Sequence, residues 1–470
     1  VRPKLPGLRT VAGRVLALSA LALAALGVLA ATLTAGAGHA RDGLGALGHR
    51  EGPMVVATSD MYLALSDMDA QVTNALLTGG ENGWLCDPEN AGASCERSDE
   101  RQVYDIRRED AQRAALQAAL LARDEQGRQQ TVQSVLDGLH TYDQYVQAAM
   151  EAGRRRAGPT AALPPDGVRQ YRAATGLMTR DLLPKAYNLT LDGAADVDTA
   201  YRDEHAAVSA GRWLVLGAGT ALIAALGALQ VYLARRFRRL VSLPLAAALA
   251  GALVLTVAGA SLLATEADHL KAAKASGFDP VLTLTRARAI GKGLDTDRAR
   301  QLLDPAQGDR YDQMYLEKSQ TILYIGGATS LADYYRELDE RLAGPKRTAD
   351  FGGFYGTRAR NAEDVRALLD GYRKYQDHDR TVRSLAESGR RDAAVRAHLD
   401  PRWAPLAHPV FRAHDQELDA RISHYDFLRT RRVADGDRAV EPWGWLPAAA
   451  ALALAALIAA GVWPRLSEYR

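Results

Sequence analysis

The 470-residue chain predicts an all-α protein: four transmembrane helices and two extracytoplasmic helical-bundle domains, laid out as a tandem duplication of one helix–domain–helix unit. Three observations lead there. Four uncharged apolar stretches occupy residues 15–38, 213–234, 240–265 and 442–464. Each reaches the roughly 20 residues that a helix rising about 1.5 Å per residue needs to cross about 30 Å of hydrocarbon. The polar segments between them, 41–212 and 266–441, are nearly equal in length. Apolar residues in those segments recur at helical spacing, and no stretch shows the alternation of a strand.

Basic residues set the orientation, because short basic links resist translocation. Arg2, Lys4, Arg9 and Arg14 precede the first span, Arg235, Arg236, Arg238 and Arg239 fill the link 235–239, and Arg465 and Arg470 outweigh Glu468 in the tail 465–470. The N-terminus 1–14, the link and the tail are therefore expected in the cytoplasm, with both polar segments outside a plasma membrane. The four-arginine link also suits anionic headgroups of the lipid bilayer, at about 1 kcal/mol per basic residue. Trp213, Trp443, Trp445 and Trp463 stand at span ends, as interfacial aromatics do. Gly38-His39-Ala40 loosely resembles a cleavage site, but the apolar run before it exceeds the usual 7–15 residues of a signal peptide. A retained first helix is the expectation.

In the first polar segment, Met61, Leu65, Met68, Val72 and Ala75 step by three and four along one helix. Cys86 and Cys95 close a turn-rich loop, and in an oxidising compartment two such cysteines form a disulfide. Zinc would need about four ligands, and no nearby His or further Cys supplies them. Residues 103–122 are rich in strong helix formers. Val132, Val135, Leu139, Tyr142, Val146 and Ala149 mark a third helix, and Val168, Tyr171, Leu177 and Leu182 a fourth, which Pro184 should end or kink. Four amphipathic helices make an antiparallel bundle. Its membrane-distal tip then holds the cysteine loop and Arg154, Arg155 and Arg156, either as a docking surface for another protein or as a solvated turn.

The second segment follows the plan more loosely: Asp370-Gly371-Tyr372 echoes Asp137-Gly138-Leu139 at nearly the spacing that separates the spans. Ile325-Gly326-Gly327 and Phe351-Gly352-Gly353-Phe354-Tyr355-Gly356 interrupt its helices, the latter as a structural turn or a binding loop. Catalytic motifs are missing. Lys292 follows Gly291, but Arg286 stands where a phosphate loop needs its first Gly. Gln376-Asp377-His378-Asp379 and His414-Asp415-Gln416-Glu417 put carboxylates beside histidines, yet adjacent helical residues point apart, so solvated faces are expected. Neither cofactor, metal site nor catalytic residue is predicted. The near-balanced formal charge of +2 gives no reason to expect a nucleic-acid partner. Spans without Asp, Glu, Lys or Arg disfavour ion-coupled transport. Ala247 and Gly251 form a small-xxx-small pair suited to close helix packing.

The segments Met61–Ala70, Ala75–Gly80, Tyr171–Met178 and Tyr375–Leu385 resemble those of the actinobacterial GlnX-type four-span membrane proteins. The first bundle is also similar to the four-helix ligand-binding domains of chemoreceptors. The GlnX resemblance implies amino-acid sensing through the solute-binding lipoprotein GlnH outside and the protein kinase PknG inside. With almost no cytoplasmic mass, a signal would have to pass to a separate partner. The expected function is a non-enzymatic transmembrane sensor or adaptor; the alternative is a structural or assembly protein of the cell envelope.

Overall fold

Heptad-like apolar spacing is realised as helix almost everywhere. The computed structural model describes residues 11–78, 83–85, 96–98, 100–122, 125–155, 162–237, 242–343, 351–359, 365–399 and 407–467. The expected disulfide partners Cys86 and Cys95 lie outside the described residues, as do Arg156, Arg238 and Arg239.

Helix α1 (Val11–Gly48) carries the first span and α2 (Glu51–Thr78) follows it. The α2 stripe Met61, Leu65, Met68, Val72 and Ala75 is buried, as its spacing requires. A short antiparallel ladder, β1 (Gly83–Leu85) with β2 (Glu96–Ser98), sets Leu85 opposite Glu96. Helix α3 (Glu100–Leu121) precedes α4 (Gln126–Gly153), where Val132, Val135, Leu139, Tyr142, Val146 and Ala149 all turn inward. Then α5 (Pro165–Leu177) begins with proline in its first turn, where the missing N–H costs nothing. Pro184 neither ends nor sharply breaks the fourth helix. One π-turn, Met178–Leu182, stands just upstream of it, and α6 (Leu183–Phe237) continues. A proline ring crowds the carbonyl four residues back and has no N–H to offer it; a wider turn at that place relieves both defects.

Helix α7 (Leu243–Ala273) opens with Pro244 in its first turn and passes through a second π-turn, Lys274–Phe278, into α8 (Asp279–Leu303). A 3₁₀ turn, Pro305–Gln307, leads to α9 (Gly308–Ile322) and α10 (Leu331–Ala343). The two glycine breakers meet: Tyr324 and Gly352 exchange backbone hydrogen bonds of 3.1 and 3.3 Å. Gly353 has φ +74°, and a Cβ there would fall 2.8 Å from the Thr321 carbonyl oxygen. Glycine is therefore required, and with Phe351 and Tyr355 buried this segment is a structural turn. It opens α11 (Gly353–Ala359), followed by α12 (Val365–Glu387), α13 (Arg391–Leu399) and α14 (Ala407–Val440). After a 3₁₀ turn at Glu441–Gly444, α15 (Leu446–Ser467) carries the last span.

The chain divides into two compact units. The span unit comprises Val1–Gly52, Ala195–Phe278 and Phe427–Arg470. Its four long apolar helices have the length and composition to cross a membrane. Leu21, Val28, Leu214, Val254, Val257 and Leu452 are exposed on their outer faces. An apolar exterior of that extent belongs in lipid, which makes this a multi-pass membrane protein. Small residues bring the helices together: a Cβ at Gly259 would meet Leu33, one at Gly219 would meet Thr256, and one at Gly461 would meet Leu245. Of the expected small pair on α7, Gly251 meets Leu454 but Ala247 faces out. The buried line runs instead through Ala248, Ala252, Thr256 and Gly259.

The polar unit comprises Pro53–Ala194 and Asp279–Asp426. The first of these segments shares its core with the second: Met68, Val72, Val135 and Tyr142 pack in one cluster with Ala299, Leu302 and Leu303 of α8 and Val395 of α13. A second core holds Leu284, Ile290 and Leu294 of α8 with Tyr315, Tyr334, Tyr355, Tyr372 and Leu418. Helix α8 thus feeds both cores, and it is the element around which a site can form.

Candidate functional site: a buried charge ladder along α8

Pressed from both sides, α8 has no wide solvent face for its charged residues. Arg298 and Arg300 are only 2 % and 1 % exposed, and Asp297 is fully buried. A charge in such surroundings survives only with partners of opposite sign and satisfied hydrogen bonds. Most charged residues of α8 find a counter-charge on another helix, while Arg298 pairs with Asp295 of α8 itself and lies 3.9 Å from Asp379.

At the upper rung, the Arg288 guanidinium grips Asp415 of α14 bidentately, with Nε 2.9 Å from Oδ1 and Nη2 3.0 Å from Oδ2, and also contacts Asp419. Lys292 sits 3.3 Å from Asp67 of α2 and 3.5 Å from Asp415, tying both segments to one ammonium. Arg107 of α3 closes on the other Asp67 oxygen at 2.9 Å. Burial alone would raise the Asp415 carboxyl, but Lys292 and Arg288 outweigh it and hold the carboxyl well below its usual range. Burial likewise disfavours the Lys292 charge, and Asp415 and Asp67 reverse that, raising its pKa.

One turn on, Asp297 accepts from Arg300 at 2.7 Å and from Lys318 of α9 at 2.6 Å. Arg300 also donates to Asp69 of α2, whose other oxygen accepts from the Tyr142 hydroxyl at 2.9 Å. Arg298 reaches the opposite way, its Nε donating to His398 Nδ1 at 3.1 Å. A guanidinium can only donate, so His398 must carry its proton on Nε2, which lies 3.1 Å from the Asn74 side-chain oxygen. Past the helix end, Arg172 of α5 holds Asp304 through two bonds of 2.7 and 2.8 Å. A branch extends into α12, where Arg383 pairs with Asp379 at 2.7 Å and with Gln301 at 2.8 Å.

Beside the upper rung a small cleft is lined by Arg288, Tyr355, Tyr372, Tyr375, His414 and Asp415. Tyr355 and His414 share a 2.9 Å hydrogen bond between the hydroxyl and Nε2. Burial pushes the His414 imidazole down to about 4, so it is neutral at physiological pH.

The expectation of solvated faces at Gln376–Asp379 and His414–Glu417 fails on the inward residues. Gln376 and Asp379 are buried, three apart on one face of α12, and His414 is buried on α14. Reading neighbours pairwise missed this, because the face they share is set by the i, i+3 step. Lys292, free of any phosphate loop, is instead a rung of the ladder. Of the arginines expected at the bundle tip, Arg154 pairs with Glu151 and Arg155 with Asp166. Arg235 is exposed near the end of α6, and Arg236 belongs to the same helix. No group of three or more His, Cys, Asp or Glu suited to a metal is found among the described residues.

Chemically, the ladder joins α8 by directional ion pairs to α2, α9, α12 and α14 and by a hydrogen bond to α13, and Arg172 of α5 holds Asp304 just past its end. No curated protein and no solved structure matches the chain. Residues 43–202, which include Asp67, Asp69, Asn74 and Arg172 of the ladder, match the family model of the actinobacterial sensor domain, and that match supports a sensor protein.

Proposed function

We propose that the chain is a non-enzymatic transmembrane sensor or adaptor. It receives a signal on its extracytoplasmic side, from an amino acid or a solute-binding lipoprotein, and relays it to a cytoplasmic partner such as a protein kinase. The observation that carries this reading is the charge ladder on α8. Ion pairs between packed helices have discrete registers, and helices of signalling proteins move between such registers by about 1–2 Å. Helix α8 follows the third span through one π-turn, so a change of register in the ladder has a helical path toward that span. The sensor-domain match over 43–202 supports the same role.

Both polar segments are assigned to the outside by the basic residues that flank the spans. A cysteine replacing Arg236 should resist an impermeant thiol reagent in intact cells, while one replacing Ala161 should label; the reverse pattern overturns the orientation. The lipoprotein would dock through Arg154, Arg155 and Arg156. Cys86 and Cys95 would be joined as a disulfide, since the β1–β2 pairing brings the two arms of their loop together at Leu85 and Glu96.

Purification of the full chain from native membranes tests the function. Recovery of a solute-binding protein with a kinase supports relay. Recovery of cell-wall or secretion components instead would replace it with an envelope scaffold.

A further inference from the structure

We propose that Glu266 is a proton-binding site: a carboxyl enclosed by α1, α7 and α14 just past the third span, holding a proton while these helices are closed on it and releasing it when they part. The site lies wholly within the span unit and does not involve the ladder.

Its origin is a break in pattern. The buried stripe of α7 runs Thr256, Gly259, Leu263, Glu266, Leu270 and Ala273. Every other position on it is apolar, small or a threonine whose hydroxyl is satisfied by the Ala252 carbonyl at 2.7 Å. Glu266 alone puts an ionisable group there. Its side chain is 0 % exposed, and neither carboxylate oxygen has a hydrogen-bond partner. The walls are close. A Cβ at Gly436 of α14 would stand 3.0 Å from Glu266 Oε2 and 2.6 Å from Leu44 of α1. No room remains between these helices for a shell of water.

The charged groups around it do not neutralise it. From α7 itself, His269 Nδ1 lies 3.5 Å from Oε1, beyond a good hydrogen bond, and is likewise buried without one. From α14, Asp437 adds a like charge and is already paired with His49 at 3.1 Å. Arg429 of the same helix donates to the Leu47 carbonyl at 3.1 Å. From α1 the facing residue is the apolar Leu44. From α6, Glu204 borders Gly43 and Leu270 and is paired with His39 at 2.8 Å.

A carboxylate so placed would cost several kcal/mol, and taking up a proton removes that cost. Burial first, and the Asp437 charge second, push the carboxyl up from 4.5 to about 7. The sign follows. A carboxyl whose pKa is raised by packing favours the packed arrangement fully below its ordinary value, and that advantage is lost as pH rises to about 7. Alkalinisation at the membrane surface should therefore loosen α7 from α14.

Infrared difference spectroscopy of the full chain in lipid bilayers reads the proton directly. Stepping pH from acid through neutrality should remove a protonated-carboxyl band that Glu266→Gln lacks and that Glu266→Asp displaces. Hydrogen exchange of segment 427–440 is the second readout. Beyond the intrinsic rise, wild-type exchange should increase on the order of 100-fold across that range, and Glu266→Gln should not show the excess. Identical difference spectra for wild type and both variants overturn the proposal, as does an exchange excess that survives Glu266→Gln. Neither result bears on what the polar unit senses, so this proposal and the sensor reading can fail separately.

Discussion

Two buried clusters of charge, the α8 ladder in the polar unit and Glu266 in the span unit, solve one problem in opposite ways. Along α8 and just past its end the buried charges meet counter-charges: Arg288 has Asp415, Arg300 has Asp69 and Asp297, Asp304 has Arg172. Glu266 has an imidazole at 3.5 Å and no hydrogen bond. Paired burial yields position, because an ion pair is satisfied in only one alignment of two helices. Unpaired burial yields a protonation equilibrium, because the cheapest partner is a proton. The first device fixes geometry at any ordinary pH; the second makes packing depend on it.

The sharpest attack on this contrast removes one member of a ladder pair. Arg300→Met leaves Asp69 without its cation and should cost about 3–5 kcal/mol in unfolding of the polar unit. The double change Asp69→Leu with Arg300→Met should recover part of that loss, since the two charges leave together and Lys318 still holds Asp297, while the Tyr142 hydroxyl loses its acceptor. If the single and double variants are equally damaged in denaturant titrations, the ladder is not held by pairing.

His414 and Glu266 should contribute opposite slopes with pH. His414 is buried neutral, with its pKa lowered from 6.5 to about 4, so the stability it lends is complete above 6.5 and drains as pH falls toward 4. The loss should reach about 3 kcal/mol in the polar unit, and His414→Phe should abolish that part of the slope. Glu266 predicts the reverse slope in the span unit. Asp60 of the polar unit, its carboxyl raised by burial to about 6, adds a slope of the Glu266 sign, so the contrast is read from the variants: calorimetric melts in which His414→Phe and Glu266→Gln change the pH slope in the same direction would erase it.

Smaller effects refine it. Glu266→Leu should stabilise the span unit at neutral pH by about 1–3 kcal/mol, because a desolvated group without a partner is removed. Gly436→Ala should destabilise it by about 1–3 kcal/mol through overpacking against Leu44, read as a lowered melting temperature in detergent. Smallest of all, changing Arg154, Arg155 and Arg156 together to Ala should alter folding by less than about 1 kcal/mol, since exposed pairs such as Arg154–Glu151 contribute little. The same variant should slow association with the outer partner at low salt.

Helix positions were legible because burial and apolar spacing coincide. The stripes on α2 and α4 turned inward residue for residue, and the spans announced themselves by length. The ladder was illegible for a physical reason. Charged residues on a helix normally mark its wet face, and the partners that make them dry are far away in sequence: Asp69 meets Arg300, and Asn74 meets His398. A trace did exist. Helix α8 scatters Arg, Lys and Asp all around its circumference between apolar residues, which suits neither a surface helix nor a plain core helix. Gln376 and Asp379 carried a second trace in their three-residue spacing. At Pro184 the sequence exposed the defect but not its repair, since a π-turn and a break relieve a proline equally well.

That repair has a rotational consequence. A π-turn spends one residue more than an α-turn, so every side chain beyond Met178–Leu182 is set back about 100° around the axis from where a regular helix would put it. The azimuth of Ala186, Leu189 and Thr190, all buried, is tuned to that offset. Loss of a single residue between 178 and 182 would let the helix close into regular turns with this face still toward its core, whereas closing into regular turns at unchanged length would swing it about 100° away. What the core holds fixed is thus the azimuth of Ala186, Leu189 and Thr190 rather than the number of residues before them, and the π-turn is where the helix absorbs its one surplus residue.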